Sequence, residues 1–135
     1  MRFRTGAAAE SKSKSGQSTM ETHRLVLPED LNQYGYLFGG RLLRWVDEAS
    51  WIAASLDLPR CRFVTMGMDE VVFRHSVQEG TILSILSEQK KLGTTSVTYE
   101  VTVRRGKGRD SEPIFTTRVT FVNVDEHGDK VVIEP

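Results

Sequence analysis

The sequence predicts an α+β domain in which one long helix lies on an antiparallel sheet. Only one apolar run, ending near Leu56, is long enough for such a helix and carries charges at helical spacing. A strand candidate precedes it, and only strand-like segments follow. The clearest of these alternates Val97, Tyr99, Val101 and Val103 with Ser96, Thr98, Glu100, Thr102 and Arg104. That period of two marks a half-buried antiparallel strand.

Taken in order, residues 1–19 come first. They carry Arg2, Arg4, Lys12 and Lys14 against Glu10 alone, with hardly any large apolar side chain. Too little surface can be buried to offset the entropy of ordering them, so a disordered basic tail is expected. Its Ser-rich, acid-poor composition also fits an organelle transit peptide, and a start at Met20 fits equally well. The apolar stretch of a secretory signal is missing. The folded domain is expected over residues 20–135.

Thr22–Leu27 reads as a short strand closed by Pro28. A Gly/Asn loop leads into the helix, which Leu58-Pro59 ends. Arg62–His75 is rich in β-formers, and a further strand opens after Gly80. Ser96–Arg105 is the alternating strand, and Ile114–Val124 follows a Gly/Arg/Asp/Pro turn. Asp125–Gly128 punctuates the end.

Composition narrows the function classes. The 135 residues suffice for one domain with a working core. Lys+Arg and Asp+Glu are equal at 18 each, which does not suit a general nucleic-acid binder. Cys61 is the only cysteine, so no internal disulfide forms and a reducing compartment is suited. No apolar stretch approaches the roughly 20 residues that a bilayer requires. A soluble, cytoplasmic protein without nucleic-acid or membrane partners is expected.

At about 100° per residue, Leu42, Val46, Ala49, Ala53 and Leu56 share the helix face expected on the sheet. Arg41, Arg44, Glu48 and Ser55 share the opposite face. Asp47 falls between them, on a flank with Leu43, Ser50 and Ala54. It is either a boundary carboxylate bonded to a nearby hydroxyl or Arg, or a group beside something that approaches closely. Gly39-Gly40 at the helix start leaves backbone N–H groups unshielded, which suits an anion or a developing oxyanion. The doublet could equally permit a tight turn.

Other chemistries find less support. Gly35 and Gly40 have P-loop spacing, but Arg41-Leu42 replaces Lys-Ser/Thr and no βαβ pattern follows. His23, His75 and His127 are isolated, without metal-ligand spacing. No Gly-x-Ser-x-Gly elbow is present. Lys90-Lys91 and Arg104-Arg105-Lys107-Arg109 read as solvated turn residues or as contacts for a polyphosphate. A carboxylate, an amide and bare backbone donors are left, with no metal or cofactor implied.

The stretch "LPEDLNQYGYLFGGRLLRWVDEASWIAA" resembles the signature of the hotdog-fold acyl-CoA thioesterases of the acyl-CoA hydrolase type. It has the Pro, the Asn four residues later, Gly-x-x-Phe-Gly-Gly and the helix Asp. The resemblance continues through "VTMGMDEVVF", "GTILSI", "KLGTTSVTYEV" and "VTFVNVDEHG", covering about residues 22–128. It implies a hotdog fold, a central helix wrapped by an antiparallel sheet, and hydrolysis of an acyl-CoA to a free acid and coenzyme A. By the same resemblance Asp47 is the catalytic carboxylate, Asn32 its partner and Thr65 the third active-site residue. The N–H groups of Gly39 and Gly40 would polarise the carbonyl. Thr65, Met66 and Gly67, with Thr94, Thr95 and Ser96, would lie along coenzyme A, and Arg74 and Lys91 near its phosphates. Homodimers gathered into hexamers, as trimers of dimers, are implied too. The chain departs from the family pattern at Ser76, where proline is frequent, and at Thr94, where Arg is common.

Asp47 would act as general base on water, or attack directly to give a mixed anhydride. A hotdog protein that senses acyl-CoA without turnover is the alternative, but it would not need Asp47. A hotdog dehydratase would need a catalytic His, and none falls in the helix or its leading loop. Gly39 and Asp47 are eight residues apart, which is about 12 Å along one helix. Reacting groups must approach to ~3–3.5 Å. Two antiparallel helices about a two-fold axis would bring Gly39 and Asn32 of one chain to Asp47 of the other, the small Ser50 and Ala54 permitting the approach.

Overall fold

The computed structural model describes residues 9–12, 18–106 and 111–135. Its strands are β1 (Ala9–Lys12), β2 (Ser18–Leu25), β3 (Phe63–Phe73), β4 (Ile82–Leu92), β5 (Ser96–Arg105) and β6 (Phe115–Asn123). Among the described residues a single α-helix, α1 (Gly39–Asp57), follows a short 3-10 turn at Pro28–Asp30. All strand pairs are antiparallel, in the order β1-β2-β4-β5-β6-β3. β3 is therefore a sheet edge.

Of the tail expected to lack structure, residues 1–8 and 13–17 lie outside the described residues. Ala9–Lys12 pairs with Ser18–Glu21 as an outer strand. β2 begins earlier than expected and stops at Leu25. There Val26 leaves the ladder and exchanges hydrogen bonds with Gly80 and Thr81.

The alternation in β5 sets the core. Val97, Tyr99, Val101 and Val103 are fully buried toward α1, between the inward rows of β4 and β6. Phe121 touches Phe63 and Tyr99, with ring centroids at 6.1 and 6.4 Å. Phe115 meets Phe73 at 4.9 Å. Tyr99 Oη donates to Asp57 Oδ2 at 2.5 Å, tying the helix C-terminus to the sheet centre.

The buried helix stripe is rotated from the expected one. Leu42, Val46, Ala49 and Ala53 are buried as read, but so are Trp45, Ser50 and Ala54. Leu56 is 57% exposed. Small Ser50 and Ala54 let the helix backbone settle close on its own sheet, and Trp45 fills the opposite flank. The Ser50 hydroxyl is satisfied by Val46 O at 2.8 Å, so burying it is not costly. This flank is consumed within the chain and is not the surface on which a partner helix would rest. Glu48 is on the solvent side, accepting from Arg24 Nη2 at 2.6 Å.

Candidate active site

α1 runs antiparallel to β3, and three contacts fix their register. Near the helix start, a Cβ on Gly39 would stand 3.4 Å from Cζ of Phe73. Two turns on, Thr65 Oγ1 donates to Asp47 Oδ1 at 2.7 Å. One further turn on, Trp51 Nε1 donates to Phe63 O at 3.0 Å. Asp47 is half-buried and Thr65 exposed, so the pair opens to solvent. The hydroxyl occupies one carboxylate oxygen and leaves the other for a water or a substrate atom.

The helix start is bare. Phe38, its N-cap, offers no side-chain bond to the first turn; Arg41 N–H turns back to Phe38 O at 3.0 Å, which leaves the amides of Gly39 and Gly40 without an intrahelical acceptor. Phe38 N–H itself donates to Asp30 O at 2.8 Å, anchoring the entry. A Cβ on Gly40 would stand 2.8 Å from Cε2 of Phe38, so any side chain there must displace the ring.

Asn32 closes the preceding loop. Its Oδ1 accepts from the N–H groups of Tyr34 and Tyr36 at 2.8 and 3.1 Å. Gly35, at φ +85°, supplies the left-handed residue this turn needs. With the carbonyl end so used, the amino group of Asn32 is the end that can serve a ligand. It lines an open cleft of about 390 Å³ with Gly39, Phe73, Arg74, His75 and Ser76.

The residues singled out by sequence thus fall into two groups in one chain. Asn32, Gly39, Gly40 and Arg74 gather at the helix start. Asp47 and Thr65 stand about 12 Å further along α1. Val64 and Ser96 both pair with Val122 on β6, so the β4–β5 turn is at this second end. There the carbonyls of Thr94, Thr95 and Ser96 accept from Ile133, Asn123 and Gly93. Met66 is the extra residue of a bulge and is 60% exposed, and Gly67 resumes pairing at Thr120. Lys91 pairs with Thr98 on the sheet face away from α1, at the end opposite Arg74.

Trp51 and His75 were not singled out as site residues, and Arg105 was read only as part of a basic cluster that is either solvated or in contact with a polyphosphate. The spacing of four from Asp47 carried the signal for Trp51. That Arg105 reaches the loop after β3, where its Nη2 donates to Ser76 O at 2.8 Å, depends on a strand register that no local pattern shows. Burial pushes the Cys61 thiol above its ordinary range, which does not suit a nucleophile. Among the described residues, no three His, Cys, Asp or Glu side chains converge as a metal site, and no helix is long and apolar enough to cross a membrane.

The family model of the thioesterase superfamily matches residues 34–112, more than half of the chain. The chain belongs to the thioesterase superfamily. Within it, the chain is similar to an uncharacterised acyl-CoA thioester hydrolase of Buchnera aphidicola, 31% identical over 92% of this chain and 95% of that protein. Among solved structures it is similar to a hexameric hotdog fold thioesterase of Campylobacter jejuni, at 34% identity and a TM-score of 0.71. That match covers 83% of this chain and 87% of the other. The acyl-CoA hydrolase of Staphylococcus aureus, solved with butyryl coenzyme A, is 27% identical with a TM-score of 0.74. It aligns over 85% of this chain and 68% of its own. Further structures of that enzyme carry alanine in place of one asparagine, one threonine and one aspartate. The architecture of this thioesterase-superfamily chain is the hotdog fold named for the C. jejuni neighbour.

Proposed function

We propose that the protein hydrolyses an acyl-CoA thioester to a carboxylic acid and coenzyme A, at a site shared by two copies of the chain. The Asp47–Thr65 pair carries this reading. It presents a solvent-facing carboxylate oxygen on the same helix as bare amides that it cannot serve within its own chain. The names of the relatives support the reaction class, and the S. aureus variants involve the residue types of Asn32, Thr65 and Asp47.

The α1–β3 register supplies the pairing. β3 is an edge with Val64, Met66 and Val71 exposed, a strand poised to pair. Two copies of β3 related by a two-fold axis near Asp69 run antiparallel and place Thr65 opposite Phe73 of the second copy. Because Phe73 packs on Gly39 and Thr65 bonds Asp47, the same axis brings Asp47 to Gly39 of the second copy. Both sites are completed at once, without Ser50 or Ala54 at the interface. Several solved neighbours are hexameric, and a hexamer of this chain would gather three such dimers.

In such a site the thioester oxygen rests on the amides of Gly39 and Gly40, with the amino group of Asn32 beside it. Asp47 takes a proton from water as the water oxygen bonds to the carbonyl carbon. The tetrahedral oxyanion forms on the amides, then collapses, breaking the C–S bond. Coenzyme A leaves as the thiolate and takes up the proton that Asp47 accepted, which restores the carboxylate. Thr65 holds the carboxylate in position. Thr94–Ser96 flank the Asp47 side of the substrate and Arg74 the Asn32 side, whereas Lys91, on the sheet face away from α1, is not placed against it within the chain.

Coenzyme A esters of graded chain length, assayed for free thiol, test the reaction. Turnover of at least one ester well above its spontaneous rate is expected. A chain that binds coenzyme A yet turns over none of them would be the non-catalytic sensor.

A further inference from the structure

Among the described residues Asp30 is the only buried charged side chain, at 7% exposure, and the reaction proposed above gives it no part. A carboxylate taken out of water is costly unless it is paired and hydrogen-bonded. Asp30 finds its partners on either side of the loop that enters α1. Its Oδ2 accepts from Leu27 N–H at 2.9 Å, and its Oδ1 is 3.3 Å from Nε of Arg41. Nη2 of Arg41 also donates to Glu29 O at 3.3 Å. The carbonyl of Asp30 accepts from the N–H of Phe38, the N-cap of α1, at 2.8 Å. Beyond it Leu31 bridges to Leu37, and Asn32 N–H donates to Tyr36 O at 2.7 Å. Asp30 and Asn32 thus stand two residues apart on one leg of a short antiparallel loop. The other leg runs straight into Gly39 and Gly40.

We infer that Asp30 and Arg41 are a positioning pair, which holds the Gly39 and Gly40 amides in a fixed place relative to the amino group of Asn32. The inference rests on the thioester site proposed above and names what keeps that site in shape. A glycine doublet is the least restrained pair of residues a helix could start with. Its N-cap adds no side-chain bond, and helix ends fray. Donors to an oxyanion must nevertheless stand in place before the charge develops. A displacement of ~1 Å can cost about 10²-fold in rate. Asp30 restrains the doublet from both sides, its carbonyl holding Phe38 just before and its carboxylate holding Arg41 just after. Arginine suits the second task, because its fork reaches the Asp30 carboxylate and the Glu29 carbonyl together. The pair does this from behind. Asp30 and Arg41 line the hollow that also holds Arg24 and Trp45, and neither lines the cleft beside Asn32.

Steady-state kinetics and amide hydrogen exchange on the same proteins test the assignment. Asp30→Asn keeps an acceptor for Leu27 N–H and loses the ion pair, and Arg41→Gln loses it from the other side. Each should lower kcat about tenfold or more with KM within about twofold, since the amides serve the transition state. Arg41→Lys should recover most of the rate. The double variant should be no slower than the slower single one, because both act through one contact. Phe38 N–H, bonded to Asp30 O, should exchange about tenfold faster in Asp30→Asn and Arg41→Gln. Leu37 N–H, held by Val77 O at 2.7 Å, should keep its wild-type exchange. Glu48→Gln, which breaks an ion pair on the same helix, is the unaffected control. Wild-type kcat in Arg41→Gln, whose replaced side chain is one-third exposed, would overturn the inference even if Asp30→Asn did not fold. Losses that multiply in the double variant, or unchanged Phe38 exchange, would overturn it too. Exchange reports on the pair whether or not an ester is turned over, whereas wild-type turnover alone decides the thioesterase reading.

Discussion

Replacing Asp47 by Asn is expected to lower kcat by 10²-fold or more while leaving the fold and coenzyme A binding intact. A positioned general base contributes about 10²–10⁴-fold. Asn keeps the shape and can still accept the bond that Thr65 Oγ1 gives at 2.7 Å, so the lost function is proton acceptance. The adjacent residue is the control. Glu48 points to solvent and pairs with Arg24, both about half exposed, a pairing worth no more than about 1 kcal/mol. Glu48→Gln should keep the wild-type rate. Steady-state kinetics on both proteins, with circular dichroism to confirm folding, gives the comparison. Equal losses would mean that the carboxylate facing β3 has no special role.

The largest effect on stability is expected at Phe121. Its ring is fully buried between Phe63 and Tyr99, and it pairs across strands with both Val97 and Thr65. Removing a buried Phe side chain costs about 3–5 kcal/mol, because transfer and cavity terms add. Phe121→Ala should lower the urea midpoint by the corresponding amount and loosen the strand that carries Thr65. Arg118→Ala, on the outer face beside Glu100 at 3.6 Å, should change stability by no more than about 1 kcal/mol. A Phe121→Ala midpoint close to wild type would show that the helix and sheet pack less tightly than their geometry indicates.

Much of this was legible in the sequence. The alternation of Val97, Tyr99, Val101 and Val103 specified the inner face of β5, because period two leaves only one way to bury four such side chains. The glycine doublet and Leu58-Pro59 bracketed the helix nearly to its observed ends. The rotation of α1 was not legible. An apolar tally favoured Leu56, whereas close approach to the sheet favoured Ser50 and Ala54, and tertiary packing decided. The site showed the same division. Asp47 stood out because a carboxylate on a small apolar flank needs a reason. Its bond to Thr65 followed from no local pattern, since it depends on the antiparallel register of two elements separated by a turn. Arg105 stood out only as one of a basic cluster, and its bond to Ser76 was hidden for the same cause, since only the order of the sheet brings the two together.

In the proposed shared site, no single chain is sufficient for turnover. Two inactive variants, Asn32→Ala and Asp47→Ala, test it directly when unfolded and refolded together. Each homodimer lacks one necessary group in both sites. A mixed dimer has one intact site, made of Asn32 with its Gly39 amides from one copy and Asp47 with Thr65 from the other, and one doubly damaged site. The mixture should regain partial thioesterase activity while each parent, treated alone, stays inactive. A mixture as inactive as its parents, with heterodimers shown to form by differential tagging, would contradict it.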